Sequence, residues 1–423
     1  METARVGRRR SGGRSPARAR WRARWRAGAG AGAGAGAVAG GKEAAAERVL
    51  AELEQQGAEV GAGVVIDASG RCLGAGLGLR VQRDFGPGDR LLSVPLELCF
   101  AAPRGGERPW NLALAAQLLA APASSAYKRL LPKDVPLMGG GVPTGELQFP
   151  GAVHERQVVS QILDQEMQDR EAWPWPAEEL LPAVAAAHSR AFSFVEQKIL
   201  APGIDFANHS FEPNCEVEIE SVSGVRERPP QPNKQVFHLQ AGEAGLRAGE
   251  EATISYGDWP NEVLYLYYGF LVPDNPHDSV TLWFDLQELV AYAEGWTGFA
   301  GGDPGGALAA NVARVIAERC EGLGLPPGRV QATREGLDQK LVVAAEVLDV
   351  DPLVLAGARC RDLLHACATG LGDDAELLER GVDDAELELC VRFRLEQKII
   401  LAENLATIVG LLPEGTLEAL PRR

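Results

Sequence analysis

The sequence predicts an α+β protein in which a β-rich region, split by a block of helices, is followed by an all-helical region. Three observations predict this. Short β-like runs alternate with Gly- and Pro-rich turns over 63–95 and again over 215–256. Between those stretches apolar residues recur at helical spacing, and beyond about residue 290 they do so again almost to the end. Nothing repeats at a fixed longer period, which excludes a solenoid or propeller.

The first 41 residues stand apart. They hold ten arginines against a single acid, Glu2, and then pass into Gly-Ala low complexity, a composition that cannot build a core. A transit peptide fits, chloroplast before mitochondrion. A basic disordered tail on a cytoplasmic protein, or a start codon placed too early, are the open alternatives.

The next elements follow in order. "KEAAAERVLAELEQQGAE" (42–59) has Val49, Leu50 and Leu53 at helical spacing and Gly57 as a stop signal, so it predicts a helix. "GVVID" (63–67), "LGLRVQRD" (77–84) and "RLLSVP" (90–95) predict strands. Helical character begins at Trp110 and extends, with a loop-rich passage to about Pro150 and a Trp-Pro interruption at 173–176, to Leu200. Strands are expected at "CEVEIE" (215–220), "KQVFHLQ" (234–240) and "EEATISY" (250–256), with one more inside "NPHDSVTLWFDL" (275–286). The two prolines of "VPDNPH" place a domain boundary near 273–277. The second domain, 277–423, reads as helical, for example at "LEQKIILAENLATIVGLL" (395–412).

Bulk properties narrow the function. At 423 residues the chain has room for two or three domains, with 46% hydrophobic and 24% charged residues. The net charge is −16 even with the basic leader included, so the body has no general phosphate-binding surface and nucleic acid is not the expected partner. Seven scattered cysteines (Cys72, Cys99, Cys215, Cys320, Cys360, Cys367, Cys390) form no Cys-x-x-Cys pair, which predicts reduced thiols and no structural zinc. No run of eighteen strongly apolar residues predicts a membrane span.

Three stretches could carry chemistry. In "GAGLGLRV" (74–81), alternating glycines allow close backbone approach to a ligand, but a strand-like pattern follows them, whereas a dinucleotide fingerprint needs a helix there. "DFANHSFEPNC" (205–215) sets Asn208, His209 and Ser210 between apolar neighbours. "GEEATISYGDWPNEVLYLYYGF" (249–270) holds four of the six tyrosines. Tyr265 and Tyr267 read as aromatic core. Tyr256, at a strand end before Gly257, and Tyr268, before Gly269, read as pocket-lining. Each stretch alone is as compatible with a hairpin, a buried histidine or a core as with a site.

Their order is more specific. A glycine-rich hairpin, then "RAFSF" (190–194), "DFANHS", "GEEATISYG" and "YYGF" resembles the SET-domain methyltransferases, and within them the group that includes plant Rubisco large-subunit lysine methyltransferase. The resemblance covers about 60–272. It implies a β-rich SET domain, a helical insertion at about 110–200, a pseudoknot-like threading of the Asn-His segment, and an all-α substrate-binding domain after it. It also implies S-adenosylmethionine (SAM) as cofactor and a lysine side chain of a protein as acceptor, Rubisco large subunit or another plastid protein being one choice. A histidine acceptor, or an inactive SET-like protein-binding module, are the alternatives. A monomer with no metal is implied.

Residue by residue, the resemblance puts Ala75, Gly76, Leu77, Arg190, Asn208, His209 and Tyr256 at the cofactor, His209 mainly through its backbone. Tyr256 and Tyr268 become the catalytic tyrosines, and Asp205 and Tyr268 line the acceptor channel. Two positions depart from the pattern: Ala75 stands where an acid is common, and Phe194 where Rubisco-directed members tend to have a further arginine.

Overall fold

The computed structural model describes residues 39–67, 77–105, 108–122, 125–133, 135–138, 149–169, 173–194, 196–222, 234–297, 307–326 and 328–420. The chain opens with helix α1 (Ala39–Gln55), followed by strands β1 (Glu59–Val60), β2 (Val64–Asp67), β3 (Gly78–Val81), β4 (Arg90–Pro95) and β5 (Phe100–Pro103). Helices α2 (Trp110–Ala120), α3 (Ala126–Leu130), α4 (Pro150–Glu166) and α5 (Ala177–Arg190) come next. Then follow β6 (Phe192–Phe194), β7 (Gln197–Leu200), β8 (Asn208–His209), β9 (Cys215–Val222), β10 (Lys234–Ala241) and β11 (Glu251–Ile254). A short turn α6 (Asn261–Val263) widens into an i→i+5 turn over Leu264–Tyr268. The remainder is β12 (Ser279–Trp283), α7 (Leu286–Thr297), α8 (Ala307–Gly322), β13 (Val330–Thr333), α9 (Gln339–Leu348), α10 (Pro352–Ala366), α11 (Leu371–Arg380) and α12 (Ala385–Val409).

Among the described residues the strands form four sheets: β1-β4-β10-β9, β2-β3-β11-β8, β5-β7-β6 and β12-β13. In the first, Leu91, Leu92, Ser93 and Val94 of β4 are all buried, as befits a central strand covered on both faces. Its one polar member is satisfied: Ser93 lies opposite His238 of β10, and their Oγ and Nδ1 are 3.0 Å apart. The neighbouring strand β9 alternates, with Glu216, Glu218 and Glu220 exposed and the residues between them turned inward.

The second sheet carries the site. Its β2, β3 and β11 run antiparallel, but β8 pairs parallel to β11, with Asn208 opposite Thr253 and His209 opposite Ile254. Two stretches far apart in sequence therefore lie side by side. Asn214 extends the pairing with its side chain, its Oδ1 accepting from the Thr253 N–H at 2.8 Å and its Nδ2 donating to the Glu251 carbonyl at 2.9 Å. This parallel crossing is where the expected threading of the Asn-His segment falls.

Three buried clusters occur among the described residues. One lies beneath the first two sheets and α1, whose Ala46, Val49, Leu50 and Leu53 turn inward at helical spacing. A second joins α2, α4 and α5 through Leu112, Leu163, Trp173 and Val184. The third is formed by the C-terminal helices and also takes in Phe149, Ala185, Tyr265 and Leu266.

The elements differ from expectation at β1 and β8, two residues each that were not predicted as strands, and in three longer stretches. Residues 192–200 form the strands β6 and β7 where the sequence predicts continued helix, and β5 and β13 were not anticipated. All four strands are three or four residues long, so their conformation is set by pairing (β5 with β7, β7 with β6, β13 with β12) and not by a local period.

Candidate active site

The site is built around the turn at Asp205. Gly203 leads into it at φ 89°, and a Cβ there would sit 2.9 Å from Leu53 Cδ1, so only glycine fits. The buried Asp205 carboxylate accepts from the Tyr127 hydroxyl at 2.7 Å through Oδ2. Arg190, at the end of α5, donates from Nη1 to the Asp205 backbone carbonyl at 2.7 Å and lies 3.5 Å from Oδ2. Its guanidinium also rests on the Phe206 ring, 4.7 Å from the centroid. Burial pushes the Asp205 carboxyl above the usual range, while Arg190 and the Tyr127 hydrogen bond pull it back. Asp205 Oδ1 and Arg190 Nε are buried with no partner among the described residues.

Tyr256 follows β11 and closes over the same turn. Its hydroxyl donates to the Ala207 carbonyl at 2.9 Å, and its N–H donates to His209 Nδ1 at 3.1 Å. His209 therefore holds a neutral ring, in agreement with burial lowering its pKa. The His209 ring is thus tied to the backbone of Tyr256. The Tyr256 and Tyr268 rings lie 5.1 Å apart, with Phe270 6.4 Å and 6.1 Å from them. Burial raises both phenol pKa values, so both tyrosines are neutral hydrogen-bonding groups at physiological pH. Gly257, at φ 118°, lets the chain turn back so that Trp259 Nε1 donates to the Tyr256 carbonyl at 2.7 Å.

These groups open onto a cavity of about 950 Å³. Arg190, Asp205, Tyr256 and Tyr268 all line it, as do Phe192 and Phe194 of β6. Leu77, Asn208 and His209 do not line it. Asn208 Nδ2 instead donates to the Leu77 carbonyl at 2.8 Å and to Glu251 Oε1 at 2.7 Å, so Asn208 ties the hairpin to β11 behind Tyr256. Ala75 and Gly76 lie outside the described residues.

Several lining residues escaped the sequence reading. Tyr267 is not simply core: it lines the cavity and its hydroxyl donates to Glu155 Oε1 at 2.5 Å, whereas Tyr265 is core, stacked on Phe393. Arg329 bridges Glu155 and the buried Glu262, whose carboxyl burial pushes up to about 7. On another wall, Lys198 donates to Ser193 Oγ at 2.6 Å and sits over the Trp110 ring. Beside Trp110, His188 is pushed down to about 4, chiefly by burial. Arg329, Glu155 and Glu262 come from three separate regions, and no spacing rule joins them. The sole local hint was Glu262 in the first turn after Pro260.

Among the described residues there is no cluster of three or more His, Cys, Asp or Glu that could hold a metal, and no helix long and apolar enough to cross a membrane.

No protein-family model and no curated protein matches the chain by sequence. Solved structures do match. The SET domain of LSMT bound to lysine and AdoHcy aligns over 90% of this chain and 93% of its own, at TM-score 0.64 and 20% identity. Rubisco LSMT bound to AdoMet aligns over 90% and 94%, at TM-score 0.61 and 20% identity. Rubisco LSMT bound to sinefungin and monomethyllysine aligns over the same shares, at TM-score 0.59. At this identity the likeness is one of fold: a SET-domain fold of the LSMT kind, with a helical C-terminal region.

Proposed function

We propose that this protein is a SAM-dependent methyltransferase whose acceptor is a lysine side chain of a protein. The observation that carries the reading is the pairing of two half-buried, neutral tyrosines, Tyr256 and Tyr268, on the wall of a roughly 950 Å³ cavity that also holds the Arg190–Asp205 pair. The match to LSMT structures bound to AdoMet, AdoHcy and lysine supports it at the level of fold.

The residues present fit such a cofactor. The cavity has the volume typical of small-molecule sites. Arg190 Nε and Asp205 Oδ1 are buried polar atoms without a partner among the described residues, at positions suited to an amino-acid end. When bound, SAM supplies an electrophilic methyl group on a sulfonium.

What the chain itself contributes is alignment and desolvation. Transfer to an amine is an in-line displacement, so holding the acceptor against the methyl does most of the work. The Tyr256 hydroxyl donates its hydrogen bond to the Ala207 carbonyl, which leaves its oxygen lone pairs available to weak C–H donors. Tyr268 continues the aromatic wall, and the Phe270 ring packs near both tyrosines. A free lysine is under about 1% neutral at pH 8. Burial among aromatic rings disfavours the ammonium and raises that fraction. Asp205 Oδ2 is held by Tyr127 and lies 3.5 Å from Arg190, and no dedicated base is assigned to the lysine proton.

Calorimetric titration with SAM tests the reading. Saturable one-site binding is expected; absence of measurable binding at millimolar SAM would remove it.

A further inference from the structure

We propose that Tyr127 is a positioning residue for this site: its hydroxyl, delivered from the helical insertion, holds the Asp205 carboxylate in the orientation that faces Arg190. The proposal rests on the methyltransferase reading above. Tyr127 lies outside the cavity lining and 78 positions from Asp205, and its hydrogen bond to the site goes to that carboxylate.

The geometry leaves the hydroxyl little freedom. The Tyr127 ring is buried between Phe100, stacked at 6.3 Å, and Phe206, edge-on at 6.1 Å. A phenylalanine would satisfy that aromatic packing, so the hydroxyl answers to something else. Its partner is Asp205 Oδ2 at 2.7 Å, the same oxygen that lies 3.5 Å from Arg190 Nη1. Arg190 is thus held at two points of one residue, closely by the backbone carbonyl and more loosely by a carboxylate that Tyr127 keeps turned toward it. Phe206 links the two halves, carrying Arg190 on its face and Tyr127 against its ring.

Four titratable groups face Asp205: Tyr127 on α3, Arg190 at the end of α5, Cys99 in the turn before β5, and Tyr256 after β11. Burial, reinforced by Asp205, pushes the Cys99 thiol up to about 12, and Tyr127 and Tyr256 are raised as well, so all three are neutral near pH 7. Arg190 is then the cation that pairs with Asp205, and the Tyr127 hydrogen bond favours the ionised carboxylate. Without that hydroxyl the carboxyl takes up its proton at higher pH and the grip on Arg190 loosens.

The test measures methyl transfer from labelled SAM to free lysine, the acceptor probe, from pH 5.5 to 9 for wild type, Tyr127→Phe and Asp205→Asn. Tyr127→Phe is expected to move the acid limb of kcat/KM to higher pH by about one unit, roughly tenfold in the ionised fraction on that limb. Asp205→Asn is expected to lose the limb, and adding Tyr127→Phe to it should cause no further change. If Tyr127→Phe fails to fold, as judged by circular dichroism, the loss of the limb in Asp205→Asn decides. An active wild type whose profile Tyr127→Phe superimposes, or whose limb survives Asp205→Asn, overturns the positioning role alone. A wild type that transfers no label to free lysine and binds no SAM overturns the functional reading and the positioning role with it.

Discussion

Tyr256→Phe removes one oxygen and nothing else. The ring keeps its place, 5.1 Å from Tyr268 and 5.3 Å from His209, because neither contact uses the hydroxyl. The backbone N–H that donates to His209 Nδ1 also survives. What disappears is the 2.9 Å hydrogen bond to the Ala207 carbonyl, a neutral bond worth about 1 kcal/mol net of stability. Urea unfolding should therefore show a loss of about that size with an unchanged slope. Catalysis should suffer more, because the phenol oxygen meets polarised C–H groups chiefly as charge shifts during transfer. We expect kcat to fall at least tenfold, about 1.4 kcal/mol of transition-state stabilisation, with kcat/KM falling in parallel and SAM affinity within about threefold of wild type. The assay is steady-state transfer of radiolabel from SAM, with binding measured separately by calorimetry. Undiminished turnover in a folded Tyr256→Phe variant would refute the assignment of this tyrosine to the reacting groups.

Two further outcomes follow from other parts of the site. Asn208→Ala removes two donors at once, one to the Leu77 carbonyl and one to the Glu251 carboxylate, and should cost about 2–3 kcal/mol of unfolding free energy. It should also weaken SAM binding at least tenfold by freeing the hairpin, and calorimetry returning the wild-type affinity would contradict that. Glu262 carries a carboxyl raised to about 7 by burial, with Arg329 opposing the shift. The native state thus binds more protons than the unfolded state between roughly pH 4.5 and 7, and stability falls as pH rises through that window, by a few kcal/mol. Glu262→Gln removes this dependence, so its unfolding free energy relative to wild type should improve from pH 5 to about 7 and then level off. Parallel stability profiles would show that Glu262 does not titrate there.

Much of the fold was legible where a local pattern and the tertiary structure agree. "RLLSVP" is a strand over its full length, and the alternation in "CEVEIE" matches the exposed glutamates of β9. Asp205, Arg190, Tyr256 and Tyr268 do converge on one cavity. Strands β6 and β7 were hidden because "FSF" and "QKIL" are too short to display a period and follow directly on a helix. Tyr267 is core only in part: it packs against the cluster that holds Tyr265 and Leu266 and also reaches the cavity. Adjacent residues in a tight helical turn point different ways, and the wide turn over Leu264–Tyr268 sends Tyr267 toward Glu155 while Tyr265 stacks on Phe393. Asn208 presents the opposite case. Its residue type stood out in the sequence, but its amide is used to bind strands together and does not face the cavity. Tyr127 could not have been found from the sequence, since its partner is 78 positions away.

The most direct measurement is incubation of the full chain with labelled SAM and a plant plastid extract, followed by mass spectrometry of the labelled protein. The account predicts label on a lysine Nζ of an extract protein, lost in Tyr256→Phe. Label on a histidine ring would contradict the lysine acceptor, and no transfer to protein or to free lysine by a chain that binds SAM would contradict methyl transfer itself.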